Sequence, residues 1–277
     1  MNTIQRLIDI LFVPWQSVAP VYSLAFGTLL VTVFALIIYK YTSNQLSIRK
    51  AKDRIKAHFV EVWIYIDDPV LILKAQAGIF LNAAKYLGLA LVPLAIMFLP
   101  VMVMLINFEH RYHYRQLYEG ESVLLKVKIK SGSQPGLDAF KIELPPTLKL
   151  DAPPLRIAGK NSQGNDYREV DYRIKALKSG VHDINLAVGD SRVSVYILAD
   201  SGSPFRVNPV NAAGFAANFW HPSYSPLKPG SLIERIEIAY PETTIDFFGW
   251  KTYWLWPFLI LMFVFAFALK PLIKVEF

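Results

Sequence analysis

The histidines are the residues of this sequence whose side chains could hold a metal ion or move a proton. His110 and His113 lie three positions apart, whereas His58, His182 and His221 are isolated. A zinc site needs at least a third converging ligand, and no cysteine or carboxylate supplies one at a recognisable ligand spacing. We therefore expect no metal ion and no cofactor.

Asp67 and Asp68 are adjacent carboxylates, the second kind of residue that could do acid–base chemistry. Pro69 follows them directly, and this order is typical of a turn in which Asp68 caps a new helix. The chain has no glycine-rich phosphate loop, no nucleophile elbow and no HExxH motif. The sequence thus predicts no catalytic residues, and a protein that is not an enzyme.

The composition instead indicates a membrane protein. Of the 277 residues, 53% are hydrophobic and 14% are aromatic, and the mean hydropathy is +0.32. Three stretches without charge, residues 21–39, 86–106 and 252–269, approach the roughly 20 apolar residues that cross about 30 Å of hydrocarbon as a helix. The first twelve residues mix Arg6 and Asp9 with apolar ones, unlike a cleavable signal peptide, so the first span is expected to stay in the membrane.

Charge between the first two spans predicts the orientation of the chain. The connection from Lys40 to Lys85 carries eight Lys and Arg residues against four acidic ones. Because Lys and Arg of short loops stay on the cytoplasmic side, we expect this connection and the C-terminus inside, with the N-terminus and the long region before the third span outside. The basic run lacks interleaved stacking aromatics, so no nucleic-acid partner is expected.

Residues 1–19 have a helical pattern of apolar side chains ahead of the first span. The residues that recur at this spacing are Ile4, Leu7, Ile8, Leu11 and Phe12. The pattern predicts an amphipathic helix that lies in the outer membrane interface and ends near Pro14.

Residues 41–85 are predicted to form a helical hairpin on the cytoplasmic side. Apolar residues at helical spacing alternate in its first helix with basic ones, which can face water or lipid phosphates. The residues that we expect to contact the membrane surface or a partner are Arg49, Lys52, Lys56, Phe59 and Trp63. The second helix runs into the span of residues 86–107, which Pro93 and Pro100 should bend.

Residues 108–250 are predicted to be mostly strand. The segments that carry this prediction are ESVLLKVKIK, FKIELP, YREVDYRIKAL, VHDINLAVGD and SRVSVYIL, with Gly, Pro, Ser and Asn between them. Strands at this spacing favour an immunoglobulin-like β-sandwich. The chain has no cysteine, so such a domain must be held by its core alone.

A segment rich in proline and aromatic residues, 204–230, interrupts the strand pattern. Its aromatic residues that could contact an external partner are Phe215, Phe219, Trp220 and Tyr224. They could equally cover the sandwich or lie on the outer leaflet. Further on, Trp250, Trp254 and Trp256 fit an aromatic belt at the outer end of the third span.

The order of these segments resembles a known family. A span followed by the polar turn KYTSNQ, a basic hairpin, QAGIFLNAAKYL and the proline-interrupted LVPLAIMFLPVMVML is similar to the three-span core of the Oxa1/YidC/EMC3 superfamily of membrane-protein insertases, above all its small DUF106-like members. The resemblance covers about residues 20–107 and 250–277. The arginine typical of the family's intramembrane groove has no counterpart, and the tail KPLIKVEF is short for a ribosome-binding extension.

The resemblance implies a polar groove that opens within the bilayer toward the cytosol and eases the passage of hydrophilic segments. The matching residues are Ser23, Thr28, Thr32, Asn82 and Lys85. Threonines also commonly bond to their own helix, and Lys85 can extend to the interface, so a structural role stays open.

The sequence as a whole predicts three transmembrane helices with a cytoplasmic helical hairpin and an extracytoplasmic immunoglobulin-like sandwich. The predicted segments are an interfacial helix at 1–19, spans at 20–40 and 86–107 that flank the hairpin at 41–85, the β domain at 108–250, and a third span with a short tail at 251–277. We expect a bacterial inner-membrane protein whose partners are lipids and membrane-protein clients. It is either an Oxa1-like insertase or assembly factor or a non-catalytic accessory subunit of a larger membrane complex.

Overall fold

A computed structural model describes residues 10–15, 18–130, 139–160, 166–188, 191–200, 207–221, 227 and 231–275. The chain divides into two compact units. The β-rich unit comprises Met1–Ser23 and Ile106–Trp254, and the helical unit comprises Leu24–Leu105 and Leu255–Phe277.

Five α-helices form in the described part of the chain. They are α1 (Pro20–Thr42), α2 (Gln45–Ile64), α3 (Pro69–Tyr112), α4 (Phe215–Trp220) and α5 (Leu255–Ile273). Three of them, α1, α3 and α5, are long and apolar enough to cross a membrane. This confirms the prediction of three such helices.

Helix α3 joins the predicted second hairpin helix and the second span without interruption. It has 44 residues and contains both Pro93 and Pro100. At 1.5 Å per residue it is about 66 Å long, roughly twice the thickness of the hydrocarbon core. About half of α3 therefore extends beyond any one hydrocarbon layer.

Side-chain caps fix the ends of the hairpin helices. Asn44 accepts a hydrogen bond at 3.0 Å from the backbone N–H of Ser47 at the start of α2. Asp68 accepts hydrogen bonds from the backbone N–H groups of Val70 at 2.9 Å and Leu71 at 3.1 Å. Asp68 is therefore the N-terminal cap of α3, as predicted. Each such cap stabilises its helix by about 1 kcal/mol.

α2 and α3 contact each other at Gly78. Ala51 on α2 and Ala75 on α3 are buried. A Cβ atom added to Gly78 would lie 2.6 Å from ring atoms of His58, so the imidazole of α2 rests directly on the backbone of α3. His58 Nδ1 is 2.7 Å from Glu61 Oε2, which orients the ring. The absence of a side chain at Gly78 thus leaves space for the His58 ring.

The β-rich unit contains the strands expected from the alternating segments. Those segments form β1 (Ser122–Ile129), β2 (Phe140–Glu143), β5 (Asp166–Ala176), β6 (Gly180–Val188) and β7 (Ser191–Ala199). Additional strands are β3 (Leu148–Leu150), β4 (Leu155–Lys160), β8 (Val210–Ala212), β9 (Ile233–Ile238), β10 (Ile245–Phe247) and β11 (Trp250–Thr252). The segment predicted as a proline-rich loop thus includes β8 and α4. The prediction of a region rich in strands is confirmed.

The strands form two main sheets and a separate hairpin. One sheet has the order β3-β5-β1-β9-β8, with β4 also paired to β5, and the other has the order β2-β6-β7. All these pairs are antiparallel, and β10 pairs only with β11 in the described residues. Both main sheets contribute to one hydrophobic cluster, as the buried Leu125, Ile174 and Ile236 of the first and Ile184 and Ile197 of the second show. Each such side chain contributes about 1.5–3 kcal/mol when fully buried.

The end of the described N-terminal segment packs on the C-terminal end of α3. Residues 10–12 are helical and Val13–Trp15 form a 3-10 turn. Phe12 is buried with its ring 6.1 Å from that of Phe108, and the Arg111 guanidinium lies 4.5 Å from the Phe12 ring centre. Residues 1–9 and 16–17 of the predicted interfacial helix lie outside the described residues.

Candidate functional site

The three hydroxyl residues of the predicted groove are buried in α1, and Thr28 and Thr32 share one face of the helix while Ser23 lies on another. Thr28 donates to the carbonyl of Leu24 and Thr32 to that of Thr28, both at 2.7 Å. Ser23 donates to the carbonyl of Pro20 at 2.9 Å and accepts a bond at 3.1 Å from Tyr112. Each hydroxyl proton is therefore satisfied inside the protein, while a hydroxyl oxygen can accept a second hydrogen bond.

The two remaining groove residues belong to α3. Asn82 is half-buried and donates to the carbonyl of Gly78 at 2.8 Å, and Lys85 is exposed. Within the described part of the chain, no hydrogen bond joins either of them to the hydroxyls of Thr28 and Thr32. The structure thus places Thr28 and Thr32 on one face of α1, apart from Ser23, and gives Asn82 a separate bond to its own helix.

The hairpin presents a broad apolar surface near its turn. Trp63 is 83% exposed, Phe80 75% and Phe59 55%. The other large apolar residues here that are more than half exposed are Val60, Ile64, Ile66, Val70, Leu73 and Leu81. Of the predicted basic residues, Arg49 and Lys56 are exposed and Lys52 is half-buried. We call this surface, residues 59–81 of α2 and α3, the hairpin face.

The predicted aromatic contact residues on the β-rich unit are partly described. Phe219 is half-buried and its ring packs edge-on against Trp220, with the centroids 5.6 Å apart. Next to them, the His221 ring lies 5.9 Å from that of His110. The side chain of Phe215, and Tyr224 as a whole, lie outside the described residues.

Sequence reasoning missed Glu109, near the C-terminal end of α3. Its Oε2 accepts a bond from Trp254 Nε1 at 2.8 Å and another from the Tyr253 hydroxyl. Its Oε1 lies 2.7 Å from His113 Nδ1. The partners are about 145 positions away along the chain, so no local pattern could have revealed this cluster. It fixes the segment that leads into α5 to the segment that leaves α3.

A second missed group is the carboxyl pair Glu169 and Asp171 on β5. The two are 3% and 9% exposed, although they point away from the core side of their strand. Burial, together with a hydrogen bond that protonated Asp171 donates to Glu169, raises the pKa of Asp171 to about 6. Lys126 and Lys128 lie directly opposite on β1 and partly offset this effect. The pair could have been suspected from the acidic residues at alternate positions of YREVDYRIKAL.

No group of three or more metal-binding side chains comes together among the residues that the structure describes. The chain matches no family model, no curated protein and no solved structure.

Proposed function

We propose that the protein assists the insertion or assembly of membrane proteins, in the manner that the resemblance to Oxa1-type insertases implies. The observation that carries this proposal is the hairpin face. Large apolar side chains that stay exposed in a folded chain mark a surface for a partner or a membrane. An apolar segment of an unassembled membrane protein fits it by composition.

In this proposal the hairpin face receives the client and the buried face of α1 contributes to its passage. The Thr28 and Thr32 hydroxyl oxygens can each accept one more hydrogen bond, and an unpaired N–H of a client is costly within the bilayer. The basic residues of α2, Arg49, Lys52 and Lys56, bind the phosphates of anionic lipids or acidic segments of a client.

The proposal includes a topology and a fold for the β-rich unit. The hairpin and C-terminus are cytoplasmic and the β-rich unit is extracytoplasmic, because the basic residues of the hairpin favour the inside. The bacterial inner membrane is the location that suits an exported domain without cysteine. Two antiparallel sheets around one core support an immunoglobulin-like sandwich for that domain.

An accessory subunit of a larger membrane complex is the second candidate. It is favoured by the bonding of Ser23, Thr28, Thr32 and Asn82, each of which donates to a carbonyl of its own helix. Four polar side chains used in this way leave a less polar intramembrane surface than an insertase groove requires. The hairpin face would then bind a permanent neighbour.

Photo-crosslinking separates the two candidates. A photoreactive amino acid at Trp63 should form adducts with nascent membrane proteins of differing sequence, and the same group at Thr28 should do so at a later stage of insertion. The matched control is Lys50, an exposed residue of α2 outside the hairpin face, which should give far fewer adducts. One stoichiometric partner at Trp63, retained through purification, would instead establish the accessory subunit. Absence of nascent-chain adducts at both sites rejects the insertase.

A further inference from the structure

The hairpin of β10 and β11 ends in an exposed aromatic tip. Its pairs are Ile245 with Thr252, Asp246 with Lys251 and Phe247 with Trp250, so the loop consists of two residues, Phe248 and Gly249. Phe248 is 91% exposed, and Trp250 and Lys251 are exposed beside it. At the other end, Ile245 and Thr252 are buried. The hairpin is thus anchored at its base and projects its tip.

The backbone of the tip is held in a defined and unusual shape. Phe248 has a φ of 53° and Gly249 a φ of 90°, as a type I′ turn requires at its two central positions. Asn and Gly are the usual residues there, and an aromatic residue rarely adopts a positive φ. Asp246 accepts a bond from the Gly249 N–H at 2.7 Å and holds the turn. The local structure therefore maintains Phe248 in an unfavourable conformation that exposes its ring.

The hairpin is tethered close to the end of a candidate membrane span. Thr252 precedes Leu255, the first residue of α5, by three positions, which bounds the link to about 10 Å. Helix α5 has 19 residues, about 28 Å, and so needs its full length to cross the hydrocarbon. Its first residue must then lie at the hydrocarbon edge, and the base of the hairpin within the interfacial region.

Size and composition favour lipid over protein at the tip. An aromatic side chain buries at most about 150–250 Å², so Phe248 and Trp250 together offer far less than the roughly 800 Å² per partner of a stable protein interface. Phe and Trp next to a Lys are the residues that anchor chains at membrane interfaces, where the rings enter the boundary of the acyl chains and the ammonium meets phosphate.

We infer that the β10–β11 hairpin is a lipid-binding finger. Phe248 and Trp250 insert at the boundary between headgroups and acyl chains beside the start of α5, and Lys251 pairs with a lipid phosphate. The finger fixes the height of the β-rich unit's last segment against the bilayer. It needs only that α5 spans a membrane, and it holds for an insertase and for an accessory subunit alike.

Site-specific fluorescence in lipid nanodiscs tests the finger, because the chain has no cysteine of its own. Phe248→Cys carries an environment-sensitive nitrobenzoxadiazole label in the full-length protein. The control is Lys160→Cys, an exposed position at the end of β4. Lys160 pairs with Asp166 at one end of β5, nine positions along that strand from Lys175, which pairs with Ser122. The label at 248 should emit at shorter wavelength than at 160 and should be quenched when brominated acyl chains replace ordinary ones. The label at 160 should show neither effect.

Each alternative result is decisive. Equal spectra and equal quenching at 248 and 160 overturn the inference. A blue shift at 248 without quenching by brominated lipid means that protein covers the tip, which also overturns it. If Phe248→Cys fails to fold, Trp250→Cys replaces it with the same expectations. Lys251→Glu should weaken quenching of the label at 248 in discs of anionic lipid and leave discs of neutral lipid nearly unchanged.

Discussion

The carboxyl group of Asp171, on the outward side of β5, has a strongly raised pKa. Its neighbours there are Glu169, two positions along the same strand, and Lys126 and Lys128 on the adjacent strand. The Tyr167 hydroxyl donates to Glu169, and this bond and burial raise the pKa of Tyr167 to about 12. Glu169 and Asp171 thus lie among the same neighbours, and the protonation of Asp171 is linked to the stability of the sheet.

Replacement of Asp171 by Asn should change how stability depends on pH. The folded state raises the pKa of Asp171 from 3.8 to about 6, so it binds the proton more tightly than the unfolded chain does. This contribution to stability is full below the unfolded pKa and is lost as the pH rises through the folded one. Relative to wild type, Asp171→Asn should gain ~1–3 kcal/mol of unfolding free energy as the pH rises across that window.

Urea unfolding of the full-length protein in detergent, followed by the β-sheet signal in circular dichroism, gives this comparison. Asp183→Asn is the matched control, because Asp183 is an exposed carboxylate on a strand of the other sheet. A parallel pH profile for wild type and Asp171→Asn would show that Asp171 does not hold the proton.

The contact of the His58 ring of α2 with α3 depends on the absence of a side chain at Gly78. Gly78 and Gly88 occur in the same helix, yet a Cβ added at Gly78 would meet the His58 ring, whereas one added at Gly88 meets nothing within 4 Å. Helical propensity favours Ala over Gly at both positions by about 1 kcal/mol. Only the contact with α2 distinguishes them.

Gly78→Ala should loosen the hairpin while Gly88→Ala leaves it intact. The new methyl group must displace the outer atoms of the His58 side chain and break its bond with Glu61, a loss of ~1 kcal/mol within α2 that the gain in propensity of α3 does not restore there. Hydrogen exchange of the α2 amides should accelerate in Gly78→Ala and stay unchanged in Gly88→Ala. In the double variant His58→Ala with Gly78→Ala, slow exchange should return. Failure of that rescue would assign the effect to another cause.

The three long apolar helices are compatible with a multi-pass membrane protein. Their number is odd, so the two ends of the chain lie on different sides if all three cross. The hairpin between α1 and α3 and the strands between α3 and α5 are then also separated by the bilayer. The distribution of Lys and Arg favours the hairpin as the cytoplasmic part.

Impermeant thiol labelling of intact cells tests this topology. In a chain without natural cysteine, Lys160→Cys on β4 should react from outside, and Ser47→Cys at the start of α2 should react only after the membrane is opened. Labelling of Ser47→Cys in intact cells, with protection of Lys160→Cys, would invert the orientation and remove the basis for cytoplasmic clients.

Local patterns in the sequence predicted the long helices and the long strands, because their periodicity covers many residues. Asp68 was identified as a cap from its place before Pro69. Strands of three residues, such as β3 and β8, were missed because they have too few positions to show alternation and form through pairing with β5 and β9. The insertase function itself stays a prediction.

Candidate sites were harder to predict than elements, since they depend on contacts between distant parts of the chain. The sequence placed Thr28 and Thr32 on one face, and that spacing holds in α1. It did not identify Glu109, whose partners follow about 145 residues later. Nor did it identify Phe248, because a positive φ at an aromatic residue contradicts the residue preferences on which turn prediction rests.

The position of β1 in its sheet has a consequence for biosynthesis. Lys128 of β1 pairs with Arg235 of β9. Arg235 is synthesised more than a hundred residues after Lys128. At roughly 5–20 residues per second, one edge of β1 therefore stays unpaired for about 5–20 s. The strand that closes this edge is completed shortly before α5 emerges. Because synthesis proceeds from the N-terminus, α5, the last candidate membrane span, emerges just as the sheet first becomes able to close. A chain that stalls before β9 would expose an open edge to aggregation.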